Sequence, residues 1–522
     1  MQNILTQTDS YKLNHWNQYP KNTEVVYSYF ESRPGAKFDA TAIVGLRHII
    51  LTSLAGVRVT EDILNQARLL VAIHFGQTTL AKIEPYVFNK YQTLLATEPV
   101  FDTAGNVIAG KTVINPKVRI DWNRYWKDTA QKEMFNFIGW NHILNEHGGV
   151  LPLRIKAAPE GLPVPTNNVL MTVENLDPKC FWLTNYVESV LTHVWYPSTV
   201  AALSRQVKKT VKAFLNKTAT SCAGLDYMLQ DFGYRGATTN EAAEIGGAAH
   251  LTNFLGTDTV VAMEFAMNYY HAAPDGLAYS VAATEHSVMT AMGKAGEVDV
   301  VERLLQEYPT GILSVVSDSY DIYNFVEKII GETFRDAIMA RKGVFVVRPD
   351  SVTPKHPTPE GEMVWIAQTL ADKFGYTTNE KGYMVIDPRV RILWGDGIDI
   401  DGIERILVAL EAAGFSAENV ACFGMGGGLL QKVNRDTQRF AFKSSAQKRN
   451  GTWHDIWKQP KDVSKTSKKG RLKLVRVPGA HGQGFATVPH DAPREDILET
   501  VFENGKVMKT YNFDEVRKNA AV

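Results

Sequence analysis

From about residue 220 the chain alternates between two hydrophobic periods. Short apolar runs rich in Val, Ile and Phe each end in a cluster of Gly, Asp, Ser or Arg, and stretches with helical spacing separate them. In order, the run ends are Asp231-Phe-Gly-Tyr-Arg235-Gly, Gly256-Thr-Asp258, Tyr279-Ser-Val, Ser314-Val-Val-Ser-Asp318-Ser, Val346-Val-Arg348-Pro-Asp350-Ser, Trp394-Gly-Asp396-Gly and Phe423-Gly-Met-Gly-Gly-Gly428. The stretch after Asp396 shows one connecting helix. Ile403, Ile406, Leu407 and Leu410 form its apolar face, Asp401 and Glu404 fit a capping box, and Gly414 can end it.

Strands alternating with helices require a parallel sheet. About seven or eight such units can close into a barrel with functional residues at the C-terminal strand tips, which is where the polar clusters fall. An open doubly wound sheet places ligands at strand ends as well and stays open as an alternative. The flanks differ. Residues 150–175 and much of 470–522 alternate short strand-like runs with Pro and Gly, so both are assigned to one β-rich lobe. The expected division is 1–219 for the N-terminal part of that lobe, 220–432 for an irregular TIM-like α/β barrel, and 433–522 for the lobe's C-terminal part. Residues 84–130 mix aromatic residues with turn signals and receive no task.

At 522 residues the chain exceeds what one core usually serves, in keeping with two lobes. Apolar residues make up 44% and charged residues 21%, the balance of a globular protein. Lys plus Arg equals Asp plus Glu at 56 each, so no global field steers the molecule to nucleic acid or an anionic membrane, and any anion must be held locally. Cys180, Cys222 and Cys422 are scattered, without CxxC spacing, which suits a reducing compartment. Met1 to Lys12 lacks the apolar core of a secretion signal, and the most apolar window, Ala42 to Val57, is broken by Arg47 and His48. The expectation is a soluble cytoplasmic protein.

Gly424-Met-Gly-Gly-Gly428 follows an apolar run and leads toward a helix, so its backbone N–H groups could cradle a phosphate; a tight turn would explain it equally. It has neither GxGxxG spacing nor GK[ST]. Gly395-Asp396-Gly397-Ile-Asp399-Ile-Asp401-Gly402 fails as a calcium loop, because counting back from Gly402 puts Val408 at the last ligand position. Asp396 between glycines suits ribose hydroxyls, although a turn Asp bonding its own backbone is the simpler reading. Arg348 and Asp350 end an apolar strand, where a guanidinium can bind phosphate bidentately or form a structural ion pair.

His286 is one of 13 histidines; Glu285 and Ser287 adjoin it, and Ser280 and Asp318 belong to other tips that could orient its ring. No HExxH occurs, and His142 and His147, five apart, do not align on one helical face, which argues against zinc. The run Lys461 to Lys473 reads as a solvated loop, with a second reading as a source of cations for a polyphosphate.

Thr8-Asp-Ser-Tyr-Lys12, Gln18-Tyr-Pro, Tyr27-Ser-Tyr-Phe-Glu31, Asp231 to Gly236, Asn253-Phe to Thr259, Ser314 to Tyr323, Gly424 to Gln431 and Ser467 to Arg471 occur in this order along nearly the whole chain. Together they resemble the nicotinamide phosphoribosyltransferase family. That resemblance implies a type II phosphoribosyltransferase fold and a homodimer with active sites at the subunit interface. It also implies magnesium-dependent transfer of a 5-phosphoribosyl group from 5-phosphoribosyl 1-pyrophosphate to nicotinamide, giving nicotinamide mononucleotide.

By matching motif, the resemblance implies that Phe232 and Tyr11 of the partner subunit sandwich the pyridine ring beside Arg235, and that Asp258 accepts from the carboxamide. A nicotinate carboxylate would lose that donor and meet repulsion. Arg348, Gly395 and Asp396 would hold the phosphoribosyl unit with Asp350 near the ribose or metal; Gly426, Gly427 and Arg435 would hold its 5-phosphate. Arg33, Lys443, Lys458 and Lys465 would line the phosphate-rich side, some across the dimer. His286, oriented by Asp318 and Ser280, matches a histidine that ATP phosphorylates to improve turnover. Residues 84–130 form an insertion relative to the vertebrate pattern, and Ala441 replaces a serine near the phosphate.

Three other readings compete. A nicotinate phosphoribosyltransferase shares fold and chemistry, with Asp258 discriminating. A silent nucleotide-binding scaffold would not need Arg348, Asp396, His286 and Asp258 together. An RNA-binding protein using Lys461 to Lys473 would show salt-sensitive affinity.

Overall fold

The computed structural model describes residues 3–88, 93–461, 466–479 and 482–522. Ahead of the barrel come three strands of a large antiparallel sheet: β1 (Thr23–Ser32), β2 (Leu153–Ala157) and β3 (Val169–Asn175). The barrel strands are β4 (Leu229–Asp231), β5 (Gly256–Thr257), β6 (Ala282–Ala283), β7 (Thr310–Val316), β8 (Lys342–Arg348), β9 (Val390–Trp394) and β10 (Val420–Met425). After them come β11 (Phe440–Arg449), β12 (Thr452–Asp455), β13 (Glu499–Glu503) and β14 (Lys506–Val507).

The second group forms a parallel sheet in the order β6-β7-β8-β9-β10-β4-β5. This is chain order taken cyclically. The sheet curls until its edges meet at a single parallel bridge between Gly256 and Tyr279, where Thr257 N donates to Tyr279 O at 3.0 Å and Tyr279 N to Leu255 O at 2.7 Å. The expected irregular α/β barrel is therefore present, with its closure resting on one residue just before β6.

Alternation along the strands sorts side chains between two environments. Val315, Phe345, Val347, Ile392, Trp394 and Phe423 pack outward into the helical core. Ile312, Ser314, Val346, Arg348 and Leu393 face inward. A bulge between Ile392 and Leu393, opposite Val420 and Cys422, lets both Ala421 and Cys422 reach the interior. Small and polar residues there leave the barrel hollow rather than filled.

Helix Ile400–Ala412 buries the expected face of Ile403, Ile406, Leu407 and Leu410, and Gly414 follows it at φ +84°. Its cap is a correction: Asp399, two residues before the expected Asp401, accepts from Gly402 N at 2.9 Å. Helix Trp195–Thr218, which precedes residue 220, places Val200, Val207, Val211 and Leu215 in the barrel's core.

The β-rich lobe draws on both flanks of the barrel. Its antiparallel sheet runs β12-β11-β1-β3-β2-β13-β14, with Tyr29 of β1 opposite Lys443 of β11. β1 is buried along most of its length, as suits a central strand rich in Val, Tyr and Phe. Phe30 stacks on Phe440 with centroids 5.1 Å apart. Within residues 84–130, strands Leu95–Phe101 and Val107–Ile114 form a hairpin beside helix Trp122–Thr129. Leu69, Ala72, Ile83, Val118, Trp122 and Tyr125 make a small separate core beneath it.

The lysine-rich run departs from the solvated reading. Lys468 pairs with the buried Glu31, the Lys473 ammonium donates to the carbonyls of Ala492 and Arg494, and Arg471 lies 4.7 Å from the Trp453 ring centre. Lys465 lies outside the described residues.

Candidate active site

The barrel interior holds a cavity of about 270 Å³ lined by Gln230, Phe232, Asp258, Ser280, Arg348 and Cys422, among others. An adjoining cavity of about 380 Å³ shares Phe232, Asp258, Ala283 and Arg348 with it and adds Arg235 and Glu285. Strand tips thus bring together five predicted residues, Phe232, Arg235, Asp258, Ser280 and Arg348, from four run ends of the sequence. This is the expected position for ligands on a parallel barrel.

Phe232 organises the walls. Its N–H donates to Met425 O at 3.0 Å, tying the tip of β4 to β10. A Cβ at Gly424 would stand 2.0 Å from the Phe232 Cε2, and one at Gly395 would stand 3.0 Å away. Gly424 is therefore a glycine because an aromatic ring occupies its side-chain space, a reason invisible in the motif. Gly427 faces open space, and Gly426 approaches the Phe232 carbonyl. The helix that follows spans only Gly427–Leu430, far shorter than the glycine run suggests. Arg348 sits 4.9 Å from the Phe232 ring centre, with its Nε buried and unpartnered and one terminal nitrogen 3.5 Å from Asp350. A half-buried guanidinium with a buried, free donor is suited to an incoming anion.

Asp258 Oδ1 accepts from Ser280 Oγ at 2.6 Å. Ser280 thus turns to the pocket carboxylate, not to His286 as the sequence suggested. At the base of the turn, Asp231 Oδ1 accepts from Gly233 N at 2.7 Å, and burial, reinforced by neighbouring Asp258, pushes its carboxyl up to about 6. Burial pushes the Cys422 thiol up to about 12, so it lines the cavity as an inert wall.

At neighbouring tips, His286 Nε2 lies 3.3 Å from Asp318 Oδ1 and its Nδ1 lies 3.8 Å from Asp350 Oδ2. Asp318 Oδ2 accepts from Asp350 N at 3.1 Å and from the Ser351 hydroxyl, so the carboxylate is anchored while the imidazole stays exposed. Burial, together with Asp350 and Asp318, raises the Asp396 carboxyl above its ordinary range. Three carboxylates at the tips of β7, β8 and β9, Asp318, Asp350 and Asp396, therefore share one negative field.

A second group lies on the β-rich lobe. Burial and the charges of Lys458, Arg33 and Arg435 hold the Lys443 ammonium below the ordinary lysine value, against the opposing pull of Glu188. Arg33, Arg435 and Lys458 therefore lie near enough to Lys443 to bear on its charge. Ala441 is buried opposite Glu31. Tyr11 stands 58% exposed on the 3-10 helix Ser10–Asn17 and lines neither cavity. Sequence reasoning missed Gln230, which lines the cavity, and Tyr279 as the barrel's closing residue. It also gave no sign that the rings of His142 and His147 converge on Asp177.

Known proteins show the same architecture. The crystal structure of nicotinate-nucleotide pyrophosphorylase from Pyrococcus furiosus aligns with 99% of this chain and 95% of its own at a TM-score of 0.53 and 15% identity, which shows the fold. The family model described as nicotinate phosphoribosyltransferase (NAPRTase) matches residues 227–506, and that of the nicotinamide phosphoribosyltransferase N-terminal domain matches residues 3–98. Barrel, tips and cavity thus define a pyridine-type phosphoribosyltransferase. The chain is 39% identical over 529 residues to the nicotinamide phosphoribosyltransferase of Xanthomonas campestris pv. campestris (strain 8004), covering 100% of this chain and 98% of the relative. It is 31% identical over 545 residues to that of Acinetobacter baylyi (strain ATCC 33305 / BD413 / ADP1), covering 99% and 97%. It belongs to the nicotinamide phosphoribosyltransferase family.

Proposed function

We propose that the protein transfers the 5-phosphoribosyl group of 5-phosphoribosyl 1-pyrophosphate to nicotinamide, forming nicotinamide mononucleotide and pyrophosphate in NAD salvage. The observation that carries the choice of base is Asp258, a carboxylate presented to the cavity beside Phe232 and held by Ser280. It can accept from a carboxamide NH₂ but repels a nicotinate carboxylate.

In the reaction the pyridine nitrogen attacks C1 of the ribose. The C1–O bond breaks and pyrophosphate leaves with the bonding electrons. Phe232, paired with Tyr11 of the partner subunit in a homodimer, would stack the base, and Arg235 would lie beside it. Arg348 and Asp396 would hold the phosphoribosyl unit, while Gly426, Gly427 and Arg435 would hold the 5-phosphate. Arg33, Lys443, Lys458 and Lys465 would supply positive charge on the phosphate side. Mg2+, with Asp350 near the ribose or the metal, would supply charge neutralisation to the leaving pyrophosphate. Positioning and charge, rather than acid–base chemistry, would lower the barrier.

His286 is assigned to ATP coupling. With Nε2–H donating to Asp318, the lone pair falls on Nδ1, which would bond to the γ-phosphorus as the bond to the ADP oxygen breaks. Three free cysteines support a reducing, cytoplasmic setting, and among the described residues no helix is long and apolar enough to cross a membrane.

The test is product formation with 5-phosphoribosyl 1-pyrophosphate and Mg2+, offering nicotinamide or nicotinate, with and without ATP. Nicotinamide mononucleotide formed from nicotinamide alone, and faster with ATP, is expected. Turnover of nicotinate in preference would overturn the base assignment, and no turnover of either would favour a silent scaffold.

A further inference from the structure

A second constellation lies in the β-rich lobe, apart from the barrel. Helix Phe137–Glu146 ends with His147 as its C-cap, so the two histidines are not held to helical register. His142 Nε2 and His147 Nε2 each lie 2.7 Å from the same atom, Asp177 Oδ2. Asp177 caps the 3-10 turn Pro178–Cys180, where Cys180 N donates to Asp177 O at 2.9 Å. That bond fixes the backbone of Cys180 relative to that of Asp177. One ligand atom from each of His142, His147, Asp177 and Cys180 lies within 4.8 Å of every other.

We propose that His142, His147, Asp177 and Cys180 form a structural site for a zinc-class dication. The donor set argues for it: two imidazoles, a thiolate and a carboxylate are the ligand types of tetrahedral zinc. The spacing argues for it as well. Structural zinc sites commonly pair a C-x₂-C with an H-x₃₋₅-H, and here His142 and His147 enclose four residues while Asp177 and Cys180 enclose two. The thiol is buried and free, and a hydrogen-bonded His–Asp–His cluster alone gives no reason for it to complete the set.

Protons and charge balance on binding. Each imidazole moves its proton from Nε2 to Nδ1 and turns the Nε2 lone pair to the ion; the Cys180 thiol releases its proton to solvent. Thiolate, carboxylate and dication then sum to zero, as a site whose imidazole and carboxylate side chains are only 15–25% exposed requires. Zinc bonds of ~2.0–2.3 Å put ligand atoms about 3.3–3.8 Å apart in a tetrahedron. The 2.7 Å contacts open slightly and the widest gaps close by about 1 Å, within reach of side-chain rotation.

Supports for Asp177 are in place. Asp177 Oδ1 accepts from Lys179 N at 2.8 Å, and Asn175 Nδ2 donates to Asp177 O at 2.8 Å. Four protein ligands close the shell, so the site is structural. It would pin the helix carrying Trp140 and Ile143 to the turn carrying Cys180 and Trp182, all members of the lobe's core.

The test is zinc content of full-length protein purified from zinc-supplemented medium and dialysed into metal-free buffer, together with Co2+ titration of the chelator-treated protein. Near one zinc per chain is expected, with a thiolate-to-cobalt absorption band that Cys180→Ser removes and affinity at least about 100-fold weaker in that variant. His147→Asn should lower zinc content likewise. Folded wild type that retains no zinc and gives no thiolate–cobalt band overturns the site even if the variants misfold, and equal zinc retention by wild type and Cys180→Ser overturns it too.

Discussion

Ser280 Oγ donates a 2.6 Å hydrogen bond to one oxygen of Asp258, leaving the other to meet a ligand at the cavity wall. Asp258→Asn replaces a charge that repels carboxylates by a neutral amide that can also donate. The ratio of kcat/KM for nicotinate to that for nicotinamide should rise by roughly 10²-fold. Competing-substrate assays with both bases measure it, and an unchanged ratio would remove Asp258 from base selection.

Gly424 has no room for a methyl group, since its Cβ would lie 2.0 Å from the Phe232 ring. Gly424→Ala should displace that ring and lower kcat/KM for nicotinamide by about 10²-fold, at an overpacking cost of about 1–3 kcal/mol. Steady-state kinetics beside urea unfolding separate the two effects. Wild-type kinetics would show that the ring's position is immaterial.

The exposed imidazole of His286, backed by an anchored Asp318, should be the site of ATP coupling. In His286→Ala the ratio of turnover with ATP to turnover without it should fall to about one, and acid-labile phosphate should vanish from protein incubated with labelled ATP. A variant that still responds to ATP would move the coupling elsewhere.

His250 is buried between Ser204 Oγ, 2.9 Å from its Nδ1, and Gly256 O, 3.0 Å from its Nε2. Burial lowers its pKa from 6.5 to about 4. The unfolded chain therefore binds the proton first, so the stability contributed by the neutral ring is full above pH 6.5 and is lost as pH falls toward 4. Between pH 7.5 and pH 5 the wild type should lose about 2 kcal/mol more than His250→Gln, read from urea midpoints. Equal losses would mean that the ring titrates normally.

The barrel was readable because its strands end in residues an apolar run has no reason to contain. Arg348, Asp318 and Asp258 stood out for that reason, and the structure gathers them. What was hidden depends on approach in three dimensions. Gly424 resembles a phosphate loop until the Phe232 ring is seen against it. Ser280 was expected to orient His286, and only folding turns it to Asp258. Lys468 looked solvated because its partner, Glu31, lies on a strand from the other end of the chain. His142 and His147 were set aside by helical geometry that ceases to apply at Glu146.

Because β1 is flanked by β3 on one side and β11 on the other, the lobe cannot finish folding in the order in which the ribosome delivers it. The first strand made must wait, with one edge unpaired, while the whole barrel is synthesised. Nascent chains halted before residue 440 should then hold a competent barrel beside a sticky, chaperone-dependent lobe. The slow step of biogenesis becomes the late return of β11 to a partner made long before it.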